Sequence, residues 1–336
     1  MIPPLEWSPW QPLPEAGPLT APVLAEILDG GQSFRWHRLD PASAVGRGLP
    51  TPPSSAGTPR PQISNTWLGL FADHIVRLTL DPTNTLLWSA PAPFASRTAP
   101  ALARYFDVSR NPRALADILP HRSDPHLAAC IAAFPDLRIL RQPFGETLLG
   151  FLCSATKQIP QIKQMLALLA QHHGTPLLPS LDSQPSTLNF THRLPTWPQL
   201  AHIPERDLRA CLLGFRARYI SETAQFLAAH PGWLDETESL PYAAAKERLC
   251  SLPGVGEKVA DCVLLFGAGK LEAFPVDTWI IKSMARRYGL DRWKPAQIAH
   301  FGRVHFGPLA GLAQQYLFAF ERHAARQRRI DHVSDL

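Results

Sequence analysis

Short runs of alternating apolar and polar residues, separated by turn formers, dominate the first part of the chain. Runs of this kind, rich in aromatic and β-branched residues, are typical of strands with one buried face. The predicted strands cover residues 33–38, 66–70, 75–80 and 85–89. We therefore expect an antiparallel sheet within residues 1–136.

After residue 136 the apolar positions recur mostly at spacings of three, four and seven, which is the pattern of an amphipathic helix. The clearest series is Leu148, Phe151, Leu152, Ile159, Ile162, Leu166 and Leu169. Further helices are predicted over residues 204–229, 242–249, 257–267, 278–288 and 311–328. The predicted fold class is α+β, with an N-terminal antiparallel β-sheet domain over 1–136 followed by a larger all-helical domain over 137–330.

Two segments break these patterns. Residues 41–61 are crowded with Pro, Gly, Ser and Ala, and they hold too few apolar residues to offset the entropy of ordering them. We expect a disordered insertion there, within a hairpin of the sheet. A second irregular insertion is predicted over residues 175–197.

A tight turn interrupts the helical pattern at residues 252–256, with Pro253, Gly254 and Gly256 as its punctuation. The pattern predicts a helix-hairpin-helix over about 243–267. Glycines permit the backbone angles of such a turn and keep side chains away from a bound phosphate. The N–H groups that begin the second helix then face an anion. We predict that Gly254, Val255 and Gly256 contact a DNA backbone.

Lys258 and Asp277 are the two residues near this turn that offer chemistry. If Lys258 lies in a desolvated cleft, its neutral amine can attack carbon; on spacing alone, a solvated helix lysine or a phosphate contact is the simpler interpretation. Asp277 follows Pro275 and Val276 and is expected to cap the next helix. A capping carboxylate can also face a cleft, where it stabilises developing positive charge or accepts a proton.

Composition narrows the class of protein. The chain has 336 residues, 45% of them hydrophobic, and no apolar run approaches the length of a membrane span. Residues 1–7 lack the basic start of a secretion signal, so we expect an intracellular protein, in a bacterial cytoplasm or a eukaryotic nucleus, with no membrane partner. The five cysteines are scattered without a CxxC pair, and we expect no disulfide framework, zinc site or cofactor. The net charge of +5 permits a polyanionic partner without establishing one.

The turn, Lys258 and the segment Pro275–Val276–Asp277 together resemble the helix-hairpin-helix-GPD superfamily of DNA glycosylases. Further segments resemble, in order along the chain, the 8-oxoguanine DNA glycosylase/AP lyase family: residues 31–36, 151–154 and 214–219, then 311–314 with Phe318. The resemblance extends from about residue 5 to residue 325. It implies a sheet domain, a helical domain and an active-site cleft between them.

The resemblance also implies roles for six residues. Lys258 would attack the deoxyribose C1′ of a nucleotide flipped out of the duplex and form a Schiff base, and Asp277 would stabilise the oxocarbenium-like transition state. The carbonyl of Gly31 would accept from the N7–H that 8-oxoguanine has and guanine lacks. Gln314 would read the Watson–Crick edge, while Phe318 and Cys262 would contact the two faces of the base.

The residues expected to contact the opposite strand depart from the family pattern. Thr156, Lys157 and Gln158 stand where the family has asparagines, and Gln161 replaces an arginine that helps to read the opposite cytosine. Arg216 matches the second cytosine-reading arginine. Phe215 replaces a tyrosine wedge, and an aromatic ring is still able to insert into the duplex. These departures leave the preference for an opposite cytosine open.

A phosphate-contacting histidine of the family is replaced here by Trp279. No cysteine quartet follows Asp277, so the iron–sulfur cluster of some superfamily members is not expected. Basic residues of the later helices, including Arg322, are open to two interpretations, additional phosphate contacts or a solvated helix face, and the solvated face is the commoner of the two.

The predicted function is that of a monomeric, bifunctional base-excision-repair enzyme, which removes 8-oxoguanine from double-stranded DNA and cleaves the strand by β-elimination. Two alternatives remain open. An alkylated-base glycosylase of the same superfamily would need only Asp277. A non-catalytic DNA-binding protein would use the hairpin alone.

Overall fold

The structure is a computed structural model that describes residues 6–39, 66–177 and 192–334, with side chains as far as residue 327. Among these described residues, the N-terminal part of the chain forms an antiparallel sheet of five strands. The strands are β1 (Gln11–Pro12), β2 (Trp36–Arg38), β3 (Trp67–Phe71), β4 (His74–Leu80) and β5 (Leu86–Ser89). Their order is β1-β5-β4-β3-β2. The antiparallel sheet predicted from the alternation is therefore confirmed, with β1 as an additional short strand.

The register of β2 and β3 depends on one aromatic side chain. Trp36 lies opposite Gly69, and a Cβ at Gly69 would lie 2.1 Å from the Trp36 ring. The fully buried Trp36 indole donates to the Tyr105 hydroxyl at 2.9 Å. Only glycine leaves room for the ring here, so this pair fixes the register where one sheet face is buried.

The chain folds into two compact units, each built from two stretches of sequence. The first unit comprises residues 1–109 and 153–228. Besides the sheet it contains the helices α1 (Ala21–Asp29), α2 (Ala95–Tyr105), α6 (Ile159–His173), α7 (Trp197–Ala201), α8 (Glu205–Leu208) and α9 (Arg216–Ala229). A π-helical turn, Arg209–Leu213, lies between α8 and α9.

The second unit comprises residues 110–152 and 229–336 and is helical throughout its described residues. Its helices are α3 (Pro112–Ile118), α4 (Pro125–Ala133), α5 (Phe144–Leu152), α10 (Trp233–Ser239), α11 (Tyr242–Cys250), α12 (Glu257–Phe266), α13 (Thr278–Tyr288), α14 (Pro295–Phe306) and α15 (Ala310–Ser334). The predicted α+β class is confirmed. The domain limits of 1–136 and 137–330 stay a prediction.

The two predicted insertions have different outcomes. The insertion at 41–61 lies outside the described residues. In the second insertion, residues 178–191 also lie outside them, while the ends pair as β6 (Thr175–Pro176) and β7 (His192–Arg193). The ends of that segment are therefore more regular than predicted. Across the described part of the chain, no helix combines the length and apolarity needed to cross a bilayer.

Candidate active site

The hairpin between α11 and α12 exposes backbone at the start of α12. Gly254 has φ +77°, in the left-handed region that glycine adopts without steric cost. The N–H of Val255 donates to the Leu252 carbonyl at 3.2 Å, and the Val255 side chain is buried, which anchors the turn. Gly254 and Gly256 are exposed, and a Cβ at Gly256 would meet no described atom within 4 Å. The helix-hairpin-helix conformation is confirmed, and its contact with a DNA backbone stays a prediction.

A buried carboxylate joins the two helices of the hairpin. Asp261 on α12 is 1% exposed and accepts from the Tyr242 hydroxyl at 2.7 Å and from Lys246 Nζ at 3.1 Å, both on α11. Burial raises the pKa of Asp261, although Lys246 and Tyr242 favour its charged form. Sequence reasoning missed this clamp. Its signal was an acidic residue on the otherwise apolar inner face of α12.

Lys258 lies in the first turn of α12 and is partly buried. Its Nζ is 5.1 Å from the centroid of the Phe151 ring on α5, a cation–π distance. One turn further along α12, the buried Cys262 sulfur accepts a hydrogen bond from Lys258. Burial raises the pKa of the Cys262 thiol to about 11 even though Lys258 opposes the shift, so the thiol is neutral at pH 7. These contacts hold the amine between an aromatic face and a thiol.

Asp277 is the N-cap of α13, as predicted. One carboxylate oxygen, Oδ1, accepts from Trp279 N at 3.0 Å and from Ile280 N at 2.9 Å. Burial raises the pKa of Asp277, while the two N–H donors and the positive charges of Lys258 and Arg322 act in the opposite direction. Lys258 and Asp277 are thus electrostatic neighbours, although 19 positions separate them in the sequence.

Gln314, Phe318 and Arg322 lie at successive four-residue steps on α15 and therefore share one helix face. Gln314 is 3% exposed, and its Oε1 accepts from Gln315 Nε2 at 2.8 Å. The buried Arg322 guanidinium lies 5.3 Å from the Phe318 ring centroid and also acts on Asp277. The interpretation of Arg322 as a solvated helix residue is wrong, because its side chain is buried. The sequence does not reveal this, since Asp277, on which Arg322 acts, is distant along the chain.

Gly31 lies in the first unit, in the loop after α1. Its φ of +106° belongs to a region that other residues rarely adopt. The backbone there, including the direction of its carbonyl, thus depends on glycine. Hydrogen bonding of that carbonyl to a base stays a prediction.

The segment predicted to contact the opposite strand is also in the first unit, and Arg216 is its internal support. Arg216 is 2% exposed and donates to the carbonyls of Leu213 and Ala155 and to Thr156 Oγ1. Thr156 itself has φ +55° and is exposed. The side chain predicted to read cytosine is therefore used within the protein in this conformation.

The other residues predicted to contact the opposite strand differ in their exposure to solvent. Gln158 is exposed and Lys157 is partly buried. Gln161 Oε1 accepts from Gln158 N at 3.0 Å, so the residue that replaces the family's arginine caps α6. Phe215 is 51% exposed, with the Arg216 guanidinium 4.4 Å from its ring centroid. Half of its surface is therefore open to solvent.

Sequence reasoning overlooked Leu212 beside Phe215. Leu212 is 52% exposed and has φ +61°, a left-handed conformation that is costly for a side chain other than glycine or asparagine. It precedes Gly214, which has φ +57°, in the irregular end of the π-helical turn. No periodic pattern marks a single strained residue. The two exposed apolar residues Leu212 and Phe215, three positions apart in the chain, are together called the apolar tip below.

Comparison with known proteins shows which families this chain is similar to. Residues 18–148 match the family model "8-oxoguanine DNA glycosylase, N-terminal domain", and residues 183–303 match "HhH-GPD superfamily base excision DNA repair protein". The N-glycosylase/DNA lyase of Saccharomyces cerevisiae is 33% identical over 286 residues, which cover 80% of this chain and 69% of the yeast protein.

Two other similar proteins extend the comparison. A probable N-glycosylase/DNA lyase of Methanothermobacter thermautotrophicus is 40% identical over 127 residues, and the match spans 38% of this chain and 39% of that relative. The Clostridium acetobutylicum 8-oxoguanine glycosylase/lyase, solved with double-stranded DNA containing cytosine opposite 8-oxoguanine, superimposes with a TM-score of 0.74 at 29% identity. That match covers 90% of this chain and 92% of the solved chain.

Proposed function

Because the chain belongs to the 8-oxoguanine DNA glycosylase family of the helix-hairpin-helix-GPD superfamily, we propose that it excises 8-oxoguanine from duplex DNA and cleaves the strand as an AP lyase. The observation that carries the proposal is the placement of Lys258 beside the Cys262 thiol, within electrostatic reach of Asp277. We propose further that it acts as a monomer on double-stranded DNA.

The amine of Lys258, once deprotonated, is the nucleophile. It attacks C1′ of the flipped nucleotide, and the bond from C1′ to N9 of the base breaks as the base leaves with its electron pair and is protonated. Loss of the ring C1′–O4′ bond then gives a Schiff base. Removal of a C2′ proton expels the 3′ phosphate by β-elimination, and water releases the enzyme.

Asp277 stabilises positive charge on the sugar as the base departs. It is fixed by two backbone N–H groups, so its carboxylate does not need to reorient during the reaction. Burial raises the pKa of this carboxyl, and the positive charges of Lys258 and Arg322 favour its charged form. A fixed charge stabilises an opposite charge more strongly in a buried environment of low dielectric constant than in water.

The damaged base is assigned to Gly31, Gln314, Phe318 and Cys262. The Gly31 carbonyl accepts from N7–H of 8-oxoguanine, whereas it faces a lone pair in guanine. Support for Phe318 as a stacking partner comes from Arg322, which lies against its ring and restricts it. Gln314 reads the base edge from a buried position on the same face of α15.

The exposed glycines of the hairpin and the apolar tip are assigned to the DNA itself. Gly254 and Gly256 leave the N–H groups of the α12 N-terminus open to a phosphate. Phe215 inserts into the duplex where the flipped base has left the stack.

Single-turnover kinetics on an 8-oxoguanine duplex test the proposal, with base release and strand cleavage measured separately. Lys258→Ala should abolish strand cleavage by elimination. Asp277→Asn should slow base release by about 10²- to 10³-fold, the usual cost of losing one electrostatic stabiliser. Lys282→Ala removes an exposed lysine of α13 and serves as the matched control, which should retain both steps.

The same assay separates the alternatives. An alkylated-base glycosylase would leave 8-oxoguanine in place and release an alkylated purine without cleaving the strand. A non-catalytic DNA-binding protein would bind the duplex and release no base of either kind. Either result would contradict the proposal.

A further inference from the structure

Two helix ends in the first unit bring together three side chains that ligate metals. His172 and His173 end α6, and Cys211 lies in the π-helical turn that follows α8. One ligand atom from each lies within 4.8 Å of the other two. Cys211 Sγ is 3.9 Å from His172 Nδ1, although the residues are 39 positions apart. This separation explains why cysteine spacing along the chain predicted no zinc site.

The distance between Cys211 and His172 is close to the one found between two ligands of a tetrahedral zinc centre. Zinc–sulfur and zinc–nitrogen bonds of roughly 2.3 and 2.0 Å place the sulfur and nitrogen ligands about 3.5 Å apart. The Cys211–His172 separation needs to shorten by only a few tenths of an ångström. Cys211 is buried and His172 is exposed, so solvent reaches one side of the cluster and supplies a water as fourth ligand.

Two of the three side chains contact the same backbone carbonyl. The Asp207 carbonyl accepts from the His173 ring and from Cys211 Sγ, the latter at 3.8 Å.

We propose that His172, His173 and Cys211 form a binding site for Zn²⁺. The ion joins the C-terminal end of α6 to the π-helical turn. That turn includes Leu212 and leads directly into Gly214 and Phe215. The site therefore braces the base of the apolar tip, at a distance along the chain from Lys258 and independent of its chemistry.

Cobalt and zinc titrations of the full chain, first stripped with a chelator and then freed of it, test the proposal. One equivalent of Co²⁺ should produce a thiolate-to-cobalt absorption band, and Zn²⁺ should displace it and raise the melting temperature. Cys211→Ser should abolish the band. His173→Ala should weaken Zn²⁺ binding more than about tenfold, since even the loss of a ligand's supporting partner costs about 10- to 100-fold.

Two further variants serve as controls for this experiment. Cys250→Ser removes a partly buried cysteine of the second unit and should leave the band unchanged. If Cys211→Ser fails to fold, His172→Gln decides the matter, because its side chain is exposed and its loss should still weaken Zn²⁺ binding. Absence of the band in the wild-type chain, or a band that survives removal of Cys211 or is unchanged by His172→Gln, would overturn the proposal.

Discussion

Leu212 combines two unfavourable features in one residue, a left-handed backbone and an exposed apolar side chain. A left-handed conformation costs an ordinary residue roughly 1–2 kcal/mol. Such strain persists where the surroundings enforce it and is often found at functional sites. Because Leu212 lies three positions before Phe215 and both side chains are exposed, we infer that the strained conformation serves contact with DNA.

Leu212→Gly should therefore stabilise the protein and weaken its action on DNA. Relief of the strain outweighs the flexibility of glycine, and we expect the free energy of unfolding to rise by up to about 1 kcal/mol. Urea unfolding measures the first effect, and duplex affinity with single-turnover excision measures the second. Leu212→Asn, which tolerates the same backbone, should weaken DNA binding with little change in stability. Lower stability in the glycine variant would show that the leucine serves packing instead.

Arg216 and Gln161 are engaged within the protein, Arg216 with backbone carbonyls and Gln161 at the start of α6. A good side-chain contact to a base discriminates by about 1–3 kcal/mol, and neither residue offers one in this conformation. We expect 8-oxoguanine excision rates opposite the four normal bases to differ by less than about tenfold, the equivalent of roughly 1.4 kcal/mol. Single-turnover rates on four matched duplexes test this. A preference for cytosine of a hundredfold or more would mean that Arg216 is released when DNA binds.

Between elements, the Asp261 clamp sets the geometry of the hairpin. Tyr242 and Lys246 on α11 hold a carboxylate on α12, one turn after the helix has presented Lys258. Breaking a buried ion pair by removing one partner is costly because the remaining charge stays buried. The clamp thus couples the stability of the hairpin to the position of Lys258.

Lys246→Met should lower the free energy of unfolding by about 3 kcal/mol at pH 7, because it removes the positive charge that offsets the burial of the Asp261 carboxylate. Burial raises the pKa of Asp261 in the folded protein, so the contribution of this group to stability is lost as pH rises through that pKa. Removing Lys246 raises the pKa further. The loss of stability caused by Lys246→Met should therefore shrink as pH falls towards 3.8, the ordinary pKa of an aspartate side chain. Urea unfolding from pH 7 to pH 4 measures it, with Lys282→Met as control; a deficit independent of pH would contradict this account.

Over the whole molecule, periodic patterns predicted what depends on local sequence. The strands β2 to β5 and the hairpin helices follow from alternation, helical spacing and glycine placement. Four features could not be predicted in this way: the Asp261 clamp, Arg322 beside Asp277, the strained Leu212, and the cluster at Cys211. The Asp261 clamp, the pair of Arg322 and Asp277, and the His172–His173–Cys211 cluster each join residues from different helices or turns, which local patterns do not connect. The conformation of Leu212 depends on a backbone angle that its residue type does not predict.

Borohydride trapping tests the central claim most directly, because a covalent adduct forms only if an amine of the protein attacks the sugar. The full chain, incubated with an 8-oxoguanine duplex under borohydride and then digested, should give one DNA-linked peptide, with the linkage at Lys258 and no adduct on an undamaged duplex. Lys258→Ala should give no adduct, and Lys282→Ala should give the wild-type amount. An adduct at another lysine, or excision of 8-oxoguanine without any adduct, would contradict Lys258 as the nucleophile.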